Sequence, residues 1–230
     1  MESPFRTMAL NALFPRFCFG CGAEGTLWCL SCAEVWWPVR AKDGCPFCGE
    51  DGTFRTCTTC RESVYLDGLI AFAPYANPVV HDAIRYWKYV GDEAAARTIH
   101  GWLARFAPLV AGVFADASFV PVPLHPRKRR ARGFDQAGEI ADWMSSFFSR
   151  PAYDVLIRVR ANSSQGNRQR NERNLGELDG LFAIHPRASW LPERVVLCDD
   201  VFTSGATMDA AARVLKEAGI KRVLGFTIAK

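Results

Sequence analysis

The chain has 230 residues, 49% of them hydrophobic and 23% charged, the balance of a soluble globular protein of one or two domains with a real core. No run of about 18 apolar residues occurs, which excludes a membrane-spanning helix. The net charge of +4 is too small to argue for nucleic acid by itself.

The first residues, MESPFRTMALNALFPRF, are mixed and interrupted by prolines. They lack the apolar core of a secretory signal, so a cytoplasmic protein is expected. Eight of the nine cysteines then follow within the first 60 residues as four C-x2-C pairs: Cys18/Cys21, Cys29/Cys32, Cys45/Cys48 and Cys57/Cys60. A C-x2-C turn presents two thiolates to one metal, and zinc takes four in a tetrahedron. Four turns therefore supply eight ligands, enough for two structural Zn2+ ions, with a single ion as the alternative. A disulfide framework would want an export signal, and a redox C-x-x-C usually comes once, beside a βαβ unit. Four turns taken in pairs allow three arrangements, and the short gaps within Cys18–Cys32 and Cys45–Cys60 favour consecutive pairing. A closed four-cysteine site leaves no position for a substrate, so bracing the next domain is the favoured role over nucleic-acid contact by the sparse Arg40, Lys42, Arg55 and Arg61. Trp36 and Trp37 are expected to pack between this module and its neighbour. The module spans 1–64 and a second domain spans 65–230.

From there strands and helices alternate. GLIAFAPY (68–75) reads as a strand, Val79–Tyr89 and Asp92–Ala107 as helices, SFVPVPL (118–124) as a proline-broken strand and Gln136–Phe148 as a helix. DVLIRV (154–159) and GLFAI (180–184) read as strands flanking a polar loop. RVVLCD (194–199) is a continuous apolar run, as a strand buried on both faces should be. Ala206–Ala218 is a helix closed by Gly219, and KRVLGFTIA (221–229) is the last strand. The pattern predicts an α/β fold with an open, mostly parallel sheet flanked by helices. Two basic stretches, Arg127/Lys128/Arg129/Arg130/Arg132 and Arg158/Arg160/Arg168/Arg170/Arg173, are expected to form loops on one face.

The sharpest motif is VVLCDDVFTSGAT, residues 195–207. A buried strand ends in Asp199-Asp200, and Thr203-Ser204-Gly205-Ala206-Thr207 opens a helix. Ligands of parallel sheets bind at the carboxyl ends of strands, and a helix start offers free N–H groups to phosphate. Gly205 lets the backbone approach closely, and the hydroxyls of Thr203, Ser204 and Thr207 add donors. Asp199 and Asp200 can accept hydrogen bonds from a ribose diol. Ordinary helix capping is the plainer alternative. The Gly-Lys-Ser/Thr ending of a Walker loop is absent.

This block resembles the signature of type I phosphoribosyltransferases. With the cysteine-rich head, IRYWKYVGD (84–92) and VPVPLHPRKRRARGFDQA (120–137), the resemblance narrows to the ComF family and covers nearly the whole chain. It implies phosphoribosyl diphosphate held by Asp199 and Asp200 as the catalytic pair, with residues 203–207 around its 5′-phosphate. The diphosphate would lie by Val122 and Pro123, where the two prolines can hold a strained backbone, and Arg127 to Arg130 and Arg132 would close over it with Mg2+. Asp135 stands where the family pattern has Asn. Lys88 can reach the same anion; His125 is expected to make a structural polar contact, and Cys198 to be core. Gln165–Arg173 fits a closing loop, with Arg168 where the family has Leu. The resemblance also implies natural competence, in which single-stranded DNA enters the cytosol. Three classes stay open: a phosphoribosyltransferase of unidentified acceptor, a non-catalytic competence factor handling single-stranded DNA, and an adaptor that recruits other competence proteins.

Overall fold

A computed structural model describes residues 15–35, 43–50, 52–160 and 180–230, and of Lys128, Ala131 and Arg132 the backbone alone. Two short helices, α1 (Leu30–Val35) and α2 (Thr58–Arg61), belong to the cysteine-rich head. The body then runs β1 (Gly68–Ala73), α3 (Pro78–Val90), α4 (Glu93–Phe114), β2 (Ser118–Pro121), α5 (Pro126–Arg132), α6 (Gln136–Phe148), β3 (Leu156–Arg158), β4 (Phe182–Ile184), β5 (Arg194–Val201), α7 (Ala206–Glu217) and β6 (Arg222–Ala229). Four strands form one parallel sheet in the order β1-β6-β5-β2.

Both faces of this sheet are covered, which is why its central strands read as unbroken apolar runs. Val196, Cys198, Phe226 and Ile228 point to the face under α3, α4 and α6, where Trp87, Trp102, Phe106, Phe114 and Ile140 pack. Val195, Leu197 and Val223 point to the other face, against Met208, Ala211 and Leu215 of α7. Local chemistry sets the helix starts. The Asn77 side chain accepts from Val79 N–H at 3.1 Å ahead of α3, and Asp92 accepts from Ala94 N–H at 2.6 Å ahead of α4.

The structure corrects four expectations. The helix read as ending at Ala107 continues through Pro108 to Phe114. A proline inside a helix costs about 3 kcal/mol, and burying Val110 and Phe114 returns about 1.5–3 kcal/mol each. The strand read as 118–124 ends at Pro121, although Val122 N–H still donates to the Cys198 carbonyl at 2.9 Å. β3 and β4 leave the main sheet and pair antiparallel with each other. The basic stretch 126–132 is a helix rather than a loop, capped by His125, whose Nδ1 accepts from Arg127 N–H at 3.2 Å. Among the described residues no helix is long and apolar enough to cross a membrane.

The head is joined to the sheet edge. Leu69 N–H donates to the Phe54 carbonyl at 2.8 Å and Thr56 N–H to the Asp67 carbonyl at 3.1 Å, so residues 54–56 run antiparallel to the start of β1. Leu27 of the head lies in the main core, and Trp28 meets Trp102 edge-on at 5.2 Å.

Candidate functional site

The eight head cysteines converge in two groups, Cys18/Cys21/Cys29/Cys32 and Cys45/Cys48/Cys57/Cys60, with all sulfurs of a group within 4.8 Å of one another. This is the consecutive pairing expected from the gaps. Cys21 and Cys29 Sγ stand 3.6 Å apart, and Cys48 and Cys57 Sγ 3.7 Å. A zinc–sulfur bond of about 2.3 Å gives a tetrahedral edge of about 3.8 Å, so the groups fit zinc. No described cysteine is in a disulfide. Each group is built alike: a knuckle in which Gly22 or Gly49 N–H donates back to the Cys18 or Cys45 carbonyl, then a second pair opening a short helix. Cys32 and Cys60 are pushed up to about 12, by burial first and by the neighbouring sulfurs next. A divalent cation at the centre would reverse that penalty.

The second site lies at the carboxyl end of β5. Asp199 and Asp200 stand just before Val201, the last residue of the strand, and Asp200 N–H donates to Asp199 Oδ1 at 2.8 Å. Lys88, from α3, places its ammonium 2.7 Å from Asp200 Oδ2, with both side chains mostly buried. The structure thus brings to the acidic pair a lysine far from it in the chain. Asp199 keeps partial exposure to solvent but is enclosed by protein. Burial first, and the Asp200 charge second, push its carboxyl up to about 8, while Lys88 opposes the rise.

Thr203 and Ser204 are exposed, and Gly205 occupies the N-cap of α7 with φ of 77°. No side chain caps that helix start. A cavity of about 60 Å³ opens there, lined by Asp199, Thr203, Ser204, Gly205, Ala206 and Thr207. It is small beside the other clefts, of a size for one small group rather than a whole nucleotide. Larger clefts lie elsewhere. One of about 260 Å³ runs beside Arg55, Arg194 and Arg222 at the opposite, amino end of the strands, and one of about 540 Å³ beside Phe17 and Tyr89. The β5–α7 end is preferred because the strand carbonyl ends and a free helix start meet there.

Val122 and Pro123 follow β2, whose Pro121 pairs with Cys198, so they stand level with the acidic pair. The strain expected there is absent: no described residue but Ser149, outside the glycines, has positive φ, and Val122 N–H is spent on the sheet. Arg127 is exposed on α5, and Arg132 closes that helix. Asp135 caps α6, accepting from Gly138 N–H at 3.3 Å, a role Asn performs equally well. Cys198 is fully buried core, as expected. The readings placed on Trp36, Trp37, Arg40, Lys42 and Gln165–Arg173 fall outside the described residues.

One participant was read only as part of a basic loop, and a second was not singled out at all. Arg158, at the end of β3, lies over the Phe182 ring at 5.5 Å and is close enough to Asp199 for their charges to interact. Asp209, in the first turn of α7, accepts from Tyr65 N–H at 2.7 Å and Leu66 N–H at 2.9 Å, tying the segment that directly follows the head to the signature helix. An acid just inside a helix start after the signature was the available signal for the latter; the former was marked only as one of a basic stretch, and the structure puts it at a strand end rather than in a loop.

Among the described residues, the two tetrads are the only groups of three or more cysteine, histidine or acidic side chains close enough to hold a metal. Asp199 and Asp200 offer carboxylate oxygens, the ligand type that Mg2+ takes, but as a pair they fall short of such a group.

No protein-family model matches the chain. It is 30% identical over 185 residues to competence protein ComFC of Bacillus subtilis (strain 168), covering 76% of this chain and 72% of that protein. It is 25% identical over 193 residues to competence protein ComFC of Streptococcus pneumoniae, covering 82% and 81%. It is 23% identical over 196 residues to competence protein F of Haemophilus influenzae, covering 80% and 85%.

Proposed function

The chain belongs to the ComF family of competence proteins, and from that premise we propose that it serves DNA uptake by binding phosphoribosyl diphosphate at the β5–α7 site and transferring its phosphoribosyl group to an acceptor. The observation that carries this reading is the acidic pair, with Lys88 2.7 Å from Asp200, beside an uncapped helix start. In this reading the 5′-phosphate lies over the N–H groups of residues 203–207, and the ribose diol lies on Asp199 and Asp200. Holding both ends of the sugar fixes C1 for attack. Val122, Pro123, Arg127 and Arg132 border the diphosphate, and Mg2+ bound to it would supply charge neutralisation. Zn2+ in the two tetrads is structural, and the head (1–64) braces the transferase-like domain (65–230). We place the protein in the cytoplasm, where phosphoribosyl donors and incoming DNA would meet.

Calorimetry with phosphoribosyl diphosphate and Mg2+ tests the proposal. Wild type should bind, and Asp199→Ala/Asp200→Ala should not. A folded wild type that takes up no ligand refutes it.

A second reading, non-catalytic handling of single-stranded DNA, is favoured by the basic helix α5 with Arg127, Arg129 and Arg130. It calls for binding that weakens steeply with salt and survives loss of the acidic pair.

A further inference from the structure

The second cysteine tetrad touches the anion loop. Phe47 lies inside its knuckle, between Cys45 and Cys48. The Phe47 ring meets Phe202 edge-on, with centroids 6.0 Å apart and planes at 70°. Phe202 follows β5 directly, is 3% exposed, and gives its N–H to the Ala229 carbonyl at 2.9 Å. Gly205 fits against both rings: a Cβ there would come within 2.8 Å of Phe47 Cε1 and would meet the Phe202 ring. From Gly205 the chain enters α7, its carbonyl accepting from Asp209 N–H at 2.8 Å. A continuous series of contacts thus runs from the sulfurs of Cys45 and Cys48 through Phe47 to the turn that presents residues 203–207.

Phe47 is only half-buried, so its contacts are those of a strut rather than of a core side chain. The other knuckle makes an aromatic contact with the apolar cluster on the other face of the sheet. Phe19, between Cys18 and Cys21, packs edge-on against Tyr86 at 5.8 Å, two residues before Lys88 on α3. A segment as short as a knuckle cannot hold a ring in place by a core of its own; four bonds to one ion can.

We infer that Phe47 is a positioning residue, through which the second tetrad holds the 202–207 turn in the conformation that receives an anion. The inference rests on the reading of that turn as a phosphate site, and the experiment separates the two. Full-length protein carrying Phe47→Ala, Phe47→Tyr or Phe19→Ala is prepared zinc-loaded, and metal content is measured. Hydrogen exchange is then followed over residues 202–209, and ribose 5-phosphate binding is measured by calorimetry.

Phe47→Ala, with two metals per chain, should speed exchange over 202–209 and weaken ribose 5-phosphate by about two- to tenfold, the worth of one lost edge-to-face pair. Phe47→Tyr should restore both, and Phe19→Ala should leave the 202–209 exchange at the wild-type rate. Wild-type exchange over 202–209 in a metal-replete Phe47→Ala protein overturns the inference. If Phe47→Ala does not fold, Phe47→Leu decides by the same criterion. Wild type that ignores ribose 5-phosphate overturns the phosphate reading alone, because the exchange comparison still decides whether Phe47 holds the turn.

Discussion

Gly205→Ala is the most direct probe of the geometry at the 203–207 turn. Gly205 has φ of 77°, where an L-residue costs about 1–2 kcal/mol. The new methyl group would also press into the Phe202 and Phe47 rings, and such overpacking costs about 1–3 kcal/mol. The sum is about 2–5 kcal/mol. At about 2–4 °C per kcal/mol for a chain of this size, Tm should fall by about 4–20 °C. Gly219→Ala is the internal control. Gly219 also has positive φ, 99°, but nothing stands within 4 Å of its would-be Cβ, so it should lose only the backbone share, about 1–2 kcal/mol. Denaturant unfolding of both variants isolates the clash as their difference. In the double variant Gly205→Ala/Phe47→Ala, relief of one ring should make the two losses less than additive. Equal losses for Gly205→Ala and Gly219→Ala would refute the packing of the knuckle and Phe202 on this turn.

Metal content is expected at two Zn2+ per chain, falling to one in Cys21→Ser and in Cys48→Ser; elemental analysis of folded protein checks this, and no metal in wild type would contradict the tetrads. Asp199 should make stability fall with rising pH. Its folded carboxyl is raised to about 8 from an ordinary 3.8, so the fold binds the proton more tightly than the unfolded chain, and its contribution declines between those values and is flat above them. Asp199→Asn should therefore flatten the profile and gain about 1–3 kcal/mol at pH 8 after allowance for its partial exposure, as read from urea unfolding across pH. A loss of stability at pH 8 would contradict this sign. Asp209→Ala strands two N–H groups, on Tyr65 and Leu66, and should cost about 2–4 kcal/mol, whereas Asp209→Asn keeps an acceptor and should cost less; a smaller loss in the alanine variant would remove Asp209 from the anchoring of the segment after the head.

What the sequence by itself determined is the chemistry encoded over short spans. The C-x2-C turns, their consecutive pairing, the Asp199-Asp200 strand end and the small-residue helix start all depend on neighbours a few residues apart, and backbone geometry makes such spacing legible. The central strands were readable for the same kind of reason, since burial on both faces leaves no polar alternation. Tertiary structure alone decided what meets across long separations. Lys88 reaches Asp200 because α3 packs over one face of the sheet; Phe47 reaches Gly205 because the head docks at its end. The same holds for α4 running through Pro108 and for β3 pairing with β4 outside the main sheet. These outcomes depend on which apolar surfaces find one another, and burial free energy is non-directional: it acts on whole faces and leaves no mark in local spacing.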